Sequence, residues 1–142
     1  MCSSDLAERH PLAAIDCVEL SPEVVEATAL FSHFNRDALA DPRLRMIVAD
    51  GRNHIALSDR RYDVIISQPS NLWIAGMADL FTREFYQHSR QRLAPGGIFA
   101  TWIQAYALQK QDVQTIVATF KEAFPHVAMW ELMPGVDYLL VG

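Results

Sequence analysis

Residues 62–86, YDVIISQPSNLWIAGMADLFTREFY, decide how this chain reads. Tyr62 to Ser67 is a short apolar run next to a polar stretch, the pattern of a buried strand. Ser67, Gln68, Pro69, Ser70 and Asn71 then open a loop that can hydrogen-bond a small molecule but carries no charge. Thr82 reads as the N-cap of an amphipathic helix, with Phe81 and Tyr86 at hydrophobic-staple positions. Strand, loop and helix in that order form the unit of an open α/β sheet. In such sheets ligands sit where the loops leave the carboxyl ends of the strands.

The flanks repeat the unit. Upstream, AAIDCVEL (13–20) reads as a strand, and Ser21 caps a helix with Pro22 at its first position and Glu23 at its positive end. Val24, Ala27, Phe31 and Phe34 give that helix one apolar stripe. Leu44 to Ala49 is the next strand, followed by Asp50-Gly51 and a short helix over Asn53 to Leu57. Downstream, Pro95-Gly96-Gly97 stops the helix that Thr82 began, and Ile98 to Ile103 is a further strand. Val113, Ile116, Val117, Phe120 and Phe124 follow a helical period, closed by Pro125. Two last strands lie near Val127–Trp130 and Tyr138–Val141. Only Met133-Pro134-Gly135 separates them clearly, too short a link for a parallel crossover, so they must pair antiparallel. The expected fold is α/β, Rossmann-like, with a mostly parallel, doubly wound sheet ending in an antiparallel hairpin. This is the layout of S-adenosylmethionine-dependent transferases, an analogy of architecture and not of activity.

At 142 residues the chain is long enough for one domain with a real core. Residues 13–142 are assigned to it and residues 1–12 to a tail. The formal charge of −5 and the lack of a basic stripe argue against nucleic acid as a partner. A mildly acidic balance fits a small cationic substrate, and ordinary solubility explains it equally well. Two cysteines, Cys2 and Cys17, are too few for a disulfide framework. Cys17 reads as a small core residue and the compartment as reducing and cytoplasmic. No apolar run spans a bilayer, and no signal pattern opens the chain. MCSSDL at residues 1–6 matches the translation of a common sequencing-adaptor end, so the natural protein is expected to extend further upstream.

Phosphate loops of the GKS type, paired CxxC, HExxH and GxSxG are absent from the sequence. His10, His33, His54, His88 and His126 are scattered, with no second ligand at helical spacing, so no metal is expected.

The segments CVELSPEVVE, DPRLRMIVADGR, YDVIISQPSN, LFTREFYQHSRQRLAPGGIFATWIQ and FPHVAMW, in this order from about Ile15 onward, resemble the spermidine synthase (polyamine aminopropyltransferase) family. The likeness is nearest to bacterial spermidine synthase-like domains, some of which follow a membrane transporter-like half. The resemblance implies binding of decarboxylated S-adenosylmethionine and transfer of its aminopropyl group to an amine in polyamine biosynthesis, without a metal. By position, Glu19 would hold the ribose hydroxyls, Asp50 and Gly51 would lie beside the adenine, and Gln68 and Asn71 would face the amine. The resemblance also raises a homodimer, and a parent protein attached to the inner membrane through an embedded N-terminal half.

Each role has a plainer alternative. Glu19 is also a solvated charge near a helix start, favourable by roughly 0.3–1 kcal/mol. Asp50-Gly51 is also an ordinary turn. Trp73, Trp102 and Tyr106 suit an apolar or cation–π wall for an amine, and equally suit simple packing. Asp79 reads as a loop-surface charge.

Two departures from the family pattern matter. Aminopropyltransferases typically carry aspartates where this chain has Gln68 and Asn71. An amine of pKa about 10.4 costs roughly 4–5 kcal/mol to deprotonate at neutral pH. Losing a general base typically costs about 10²–10⁴ in rate. The second departure is at the start: AERHPLAA (7–14) holds no glycine and no strand-length apolar run. The central first strand and its glycine-rich turn are therefore expected to be missing, leaving its neighbours to pair directly or to expose edges. On that basis the truncated chain is expected to be inactive. Two readings stay open beside aminopropyl transfer: an S-adenosylmethionine-dependent methyltransferase, and a non-catalytic ligand-sensing or oligomer-forming module.

Overall fold

The structure is a computed structural model that describes residues 9–69, 72 and 74–142. It divides into two compact units, the first ending at His54 and the second running from Ile55 to Gly142.

The first unit is built on a parallel pair, β1 (Ile15–Glu19) and β2 (Leu44–Val48), in register from Ile15 opposite Leu44 to Glu19 opposite Val48. Asp16 and Arg45 face each other across this ladder and pair through two hydrogen bonds of 3.0 and 2.9 Å. Cys17 is buried at the centre of β1, as the small core residue that the sequence suggested, and its sulfur is disulfide-bonded.

Helix α1 (Pro22–Thr28) starts as expected: the Ser21 hydroxyl accepts from the Val24 amide at 3.3 Å, and Pro22 takes the first position. It ends earlier than the apolar stripe implies. The Thr28 hydroxyl bonds back to the Val24 carbonyl, and a single 3₁₀ turn (Ala29–Phe31) leads to the short α2 (Ser32–Asn35). Such back-bonding by a β-branched residue competes with regular helix. The stripe is not buried: Val24, Phe31 and Phe34 are exposed, Phe34 by 77%. Arg36 and Asp37 both take left-handed backbone (φ 57 and 56). Buried Asn35 holds this turn by donating to the Thr28 carbonyl and accepting from the Asp37 amide.

The division between the units falls within α3 (Gly51–Leu57). The second unit contains β3 (Tyr62–Ser67), α4 (Arg83–Gln91), β4 (Leu93–Gln104), α5 (Lys110–Ala123), β5 (Ala128–Met133) and β6 (Asp137–Val141). Its four strands lie in the order β3-β4-β6-β5, the first pair parallel and the other two antiparallel. The C-terminal hairpin is therefore as the sequence implied. The strands do not form one sheet, however: they fall into the two-stranded and four-stranded sheets just described.

The core of the second unit is aromatic. Phe85 and Tyr86 from α4, Phe99 from β4, and Phe120 from α5 meet Phe124 just beyond it, with Phe99 and Phe124 stacked at 5.2 Å and Tyr86 edge-on to Phe120 at 5.1 Å. Offset and edge-to-face pairs of this kind add about 0.5–1.5 kcal/mol each beyond burial. Along β4, Phe99, Thr101 and Ile103 are fully buried while Ile98 is exposed; beside it on β3, Ile65 is buried and Val64 and Ile66 are exposed. This is the two-residue period of a strand covered on one face.

The Pro95-Gly96-Gly97 stop behaves differently from its reading as a loop. It lies inside β4, where Gly96 has φ 78 and the ladder with β3 shifts register between Tyr62 and Val64. A β-carbon on Gly97 would sit about 3.0 Å from the Tyr62 and Ala94 carbonyl oxygens, so glycine permits the close approach.

Candidate functional site

On the first unit, the parallel pairing brings the ends of β1 and β2 side by side. The Ala49 amide donates to the Glu19 carbonyl at 3.0 Å, so Glu19 and the Asp50-Gly51 turn lie at one carboxyl edge. Glu19 is half-buried, and its Oε1 accepts from the Ser21 amide at 3.0 Å. Asp50 is exposed, and its Oδ1 accepts from the Asn53 amide at 3.0 Å, capping α3. The plainer structural roles weighed for both acids are thus real. Neither excludes ligand binding, since each carboxylate has further lone pairs to offer. A β-carbon added to Gly51 would meet no other part of the chain within 4 Å.

On the second unit, Ser67 is buried at the end of β3, in register with Thr101, and Gln68 follows it exposed. Trp102 on β4 is half-buried, on the strand face opposite Thr101 and Ile103. Its indole Nε1 is buried without a hydrogen-bond partner among the described residues. Tyr106 lies past the end of β4 and is 57% exposed. Asn71 and Trp73 fall outside the described residues, so their roles remain sequence expectations. Asp79 sits exposed on a 3₁₀ turn (Met77–Phe81), as expected of a surface charge.

Sequence reasoning passed over Gln104. It ends β4 on the same strand face as Trp102, and its Oε1 is buried and unpartnered among the described residues. Buried polar atoms of this kind call for a partner. The only sequence signal was its place at the end of WIQ, beyond an apolar strand. Among the described residues no three His, Cys, Asp or Glu side chains gather in metal-binding proximity, and no helix is long and apolar enough to cross a membrane.

Parallel strand pairs flanked by helices, with an antiparallel hairpin at the C-terminus, define an α/β, Rossmann-like fold. Residues 7–139 match the family described as the spermine/spermidine synthase domain, and the chain belongs to that family. Over 115 residues it is 32% identical to polyamine aminopropyltransferase 1 of Pseudomonas aeruginosa, covering 80% of this chain and 40% of that protein. It is 30% identical to putrescine N-methyltransferase 3 of Nicotiana tabacum, covering 82% and 31% respectively. The crystal structure of spermidine synthase from Thermotoga maritima superposes with a TM-score of 0.79 at 20% identity, over 99% of this chain and 50% of that one. The chain thus spans less than half the length of the curated relatives it matches.

Proposed function

We propose that this chain is part of a transferase that binds decarboxylated S-adenosylmethionine and moves its aminopropyl group to a small amine. The observation that carries the reading is the pairing of β1 and β2, which sets Glu19 beside Asp50-Gly51 at one carboxyl edge. A carboxylate there can accept both hydroxyls of a ribose. Gly51, where an added β-carbon would meet no other part of the chain within 4 Å, lets a flat base approach the backbone.

In the reaction, the lone pair of the neutral amine attacks the aminopropyl carbon next to the sulfonium. The carbon–sulfur bond breaks, its electron pair neutralises the sulfur, and methylthioadenosine leaves. The nitrogen must shed a proton before or after attack. Gln68 and Asn71 are assigned to face that nitrogen, where they accept hydrogen bonds but take no proton. Trp73, Trp102 and Tyr106 are assigned to the acceptor's apolar wall. Ordinary aminopropylation by this residue set is therefore slow.

The test is calorimetric titration of a version extended to full family length with decarboxylated S-adenosylmethionine, S-adenosylmethionine and methylthioadenosine. Binding of at least one, weakened at least tenfold by Glu19→Gln, supports the reading; no binding of any overturns it. The neutral acceptor side and the putrescine N-methyltransferase likeness favour methyl transfer as the second reading. Radiolabel moved from the methyl group of S-adenosylmethionine, and not from the aminopropyl group of its decarboxylated form, would establish that alternative.

A further inference from the structure

The residues assigned to aminopropyl transfer leave one hollow of the second unit unused. A cleft of about 850 Å³ lies between one face of α5 and the β5–β6 hairpin. Val113 and Val117 line its helical wall, and Met129 and Tyr138 its strand wall. Met129 and Tyr138 project from the same hairpin face as the fully buried Leu140. Lys110 and Lys121, the only lysines in the chain, also line the cleft. Lys110, Val113, Val117 and Lys121 recur at steps of three and four, so they share one face of α5. The two lysines thus bracket the apolar stretch, about 16 Å apart along the helix axis at 1.5 Å per residue.

Both lysines are exposed, and neither has an anionic partner among the described residues. The acids nearest them in sequence are engaged elsewhere. Asp112 accepts from the Gln109 amide at 2.8 Å, and Glu122 pairs with Arg83 at 2.7 Å. Glu131, the acid of β5, accepts from the Gly135 amide at 2.7 Å and from the Tyr138 hydroxyl at 3.3 Å. In a chain of net charge −5, two unpaired cations at the ends of one apolar cleft favour an anionic occupant and turn away a polyamine.

The shape of the cleft narrows the choice. Its walls are a helix and a sheet face, whose backbone groups already pair within α5 and along β4, β6 and β5. An extended peptide would bury its own amides there without partners, at a cost. A helix is about 10–12 Å across, wider than the roughly 8 Å that the volume leaves over that length. An unbranched alkyl chain meets neither obstacle. We propose that the cleft binds a linear dicarboxylate, with its methylene chain along Val113 and Val117 and one carboxylate on each lysine. Each methylene taken out of water adds affinity, and each ammonium fixes one end of the chain.

The experiment is calorimetric titration of the full chain at low salt, with circular dichroism to confirm that each variant folds. Dodecanedioate should bind. Hexanedioate, shorter and poorer in apolar surface, should bind at least tenfold more weakly, and dodecane-1,12-diamine should not bind. Lys110→Met and Lys121→Met keep an aliphatic stem and lose the charge; each should weaken dodecanedioate at least threefold. Reversing both charges (Lys110→Glu with Lys121→Glu) should exchange the preference, so that the diamine binds and the dicarboxylate does not. The proposal is overturned if dodecanedioate does not bind the wild type, if it binds the doubly reversed variant equally well, or if dodecanoate, with its single carboxylate, binds as tightly. The residues assigned to aminopropyl transfer do not line the cleft, so none of these results bears on that reading.

Discussion

Single residues set both the chemistry and the cost of this fold. Under the proposed assignment Gln68 and Asn71 face the amine without taking its proton, so Gln68→Asp with Asn71→Asp in a full-length version should raise aminopropyl transfer by about 10²-fold or more, read by product formation from putrescine. No rise, with cofactor binding intact, would point to the methyl route. Tyr86 makes a separate case. Its ring is wholly buried among Phe99, Phe120 and Phe124, while its hydroxyl has no partner among the described residues. Burial pushes its pKa well above the ordinary 10.0. A group with a raised folded-state value contributes stability below its unfolded pKa and loses it as pH rises above that value. The unfolded chain ionises Tyr86 from about pH 10 while the folded chain resists, so stability should fall steadily in that range. Tyr86→Phe removes this linkage and the unsatisfied oxygen together. It should leave neutral stability unchanged or raise it by about 1 kcal/mol, and should flatten the alkaline decline in denaturant midpoint.

At the scale of elements, local signals were legible where they act locally. The Thr82 cap is present, accepting from the Phe85 amide at 3.3 Å, and the staple residues Phe81 and Tyr86 share the same core cluster. Thr82→Ala should therefore lower stability by about 1 kcal/mol, visible as a lower urea midpoint with unchanged slope. Signals that depend on what lies across the fold misled. Pro95-Gly96-Gly97 has turn composition, but two strands approach there and the glycines become a bulge. Gly97→Ala, which would press a methyl against three carbonyl oxygens at 3.0–3.1 Å, should destabilise by about 1–3 kcal/mol. The stripe from Val24 to Phe34 predicted one buried helix face, yet burial requires a facing surface, which a helical period cannot specify. The candidate site divides in the same way. The strand-end positions of Glu19 and Asp50 were legible because strand ends can be read locally, whereas the unpartnered Gln104 oxygen became visible only once β4 had a defined buried side.

At the scale of the whole molecule, the two units differ in what holds them together. Nearly all the fully buried apolar side chains belong to the second unit; the described part of the first contributes only Cys17 and Ala38. Local stability follows buried apolar contact, so hydrogen exchange should separate the units. Amides of β3, β4 and β6 should exchange at least about tenfold more slowly than those of β1 and β2, because opening the latter exposes little apolar surface. Yet the acids assigned to the adenosyl ligand lie at the end of β1 and just past the end of β2. A ligand that binds only the folded form stabilises it by RT ln(1 + [L]/Kd), about 2.7 kcal/mol at a hundredfold excess over Kd. In a full-length version, saturating decarboxylated S-adenosylmethionine should accordingly slow exchange over residues 15–19 and 44–48 far more than in the aromatic core. Glu19→Gln should abolish most of that gain. Protection that rises uniformly, or only around β3, would mean that the cofactor is held by other residues than Glu19 and Asp50.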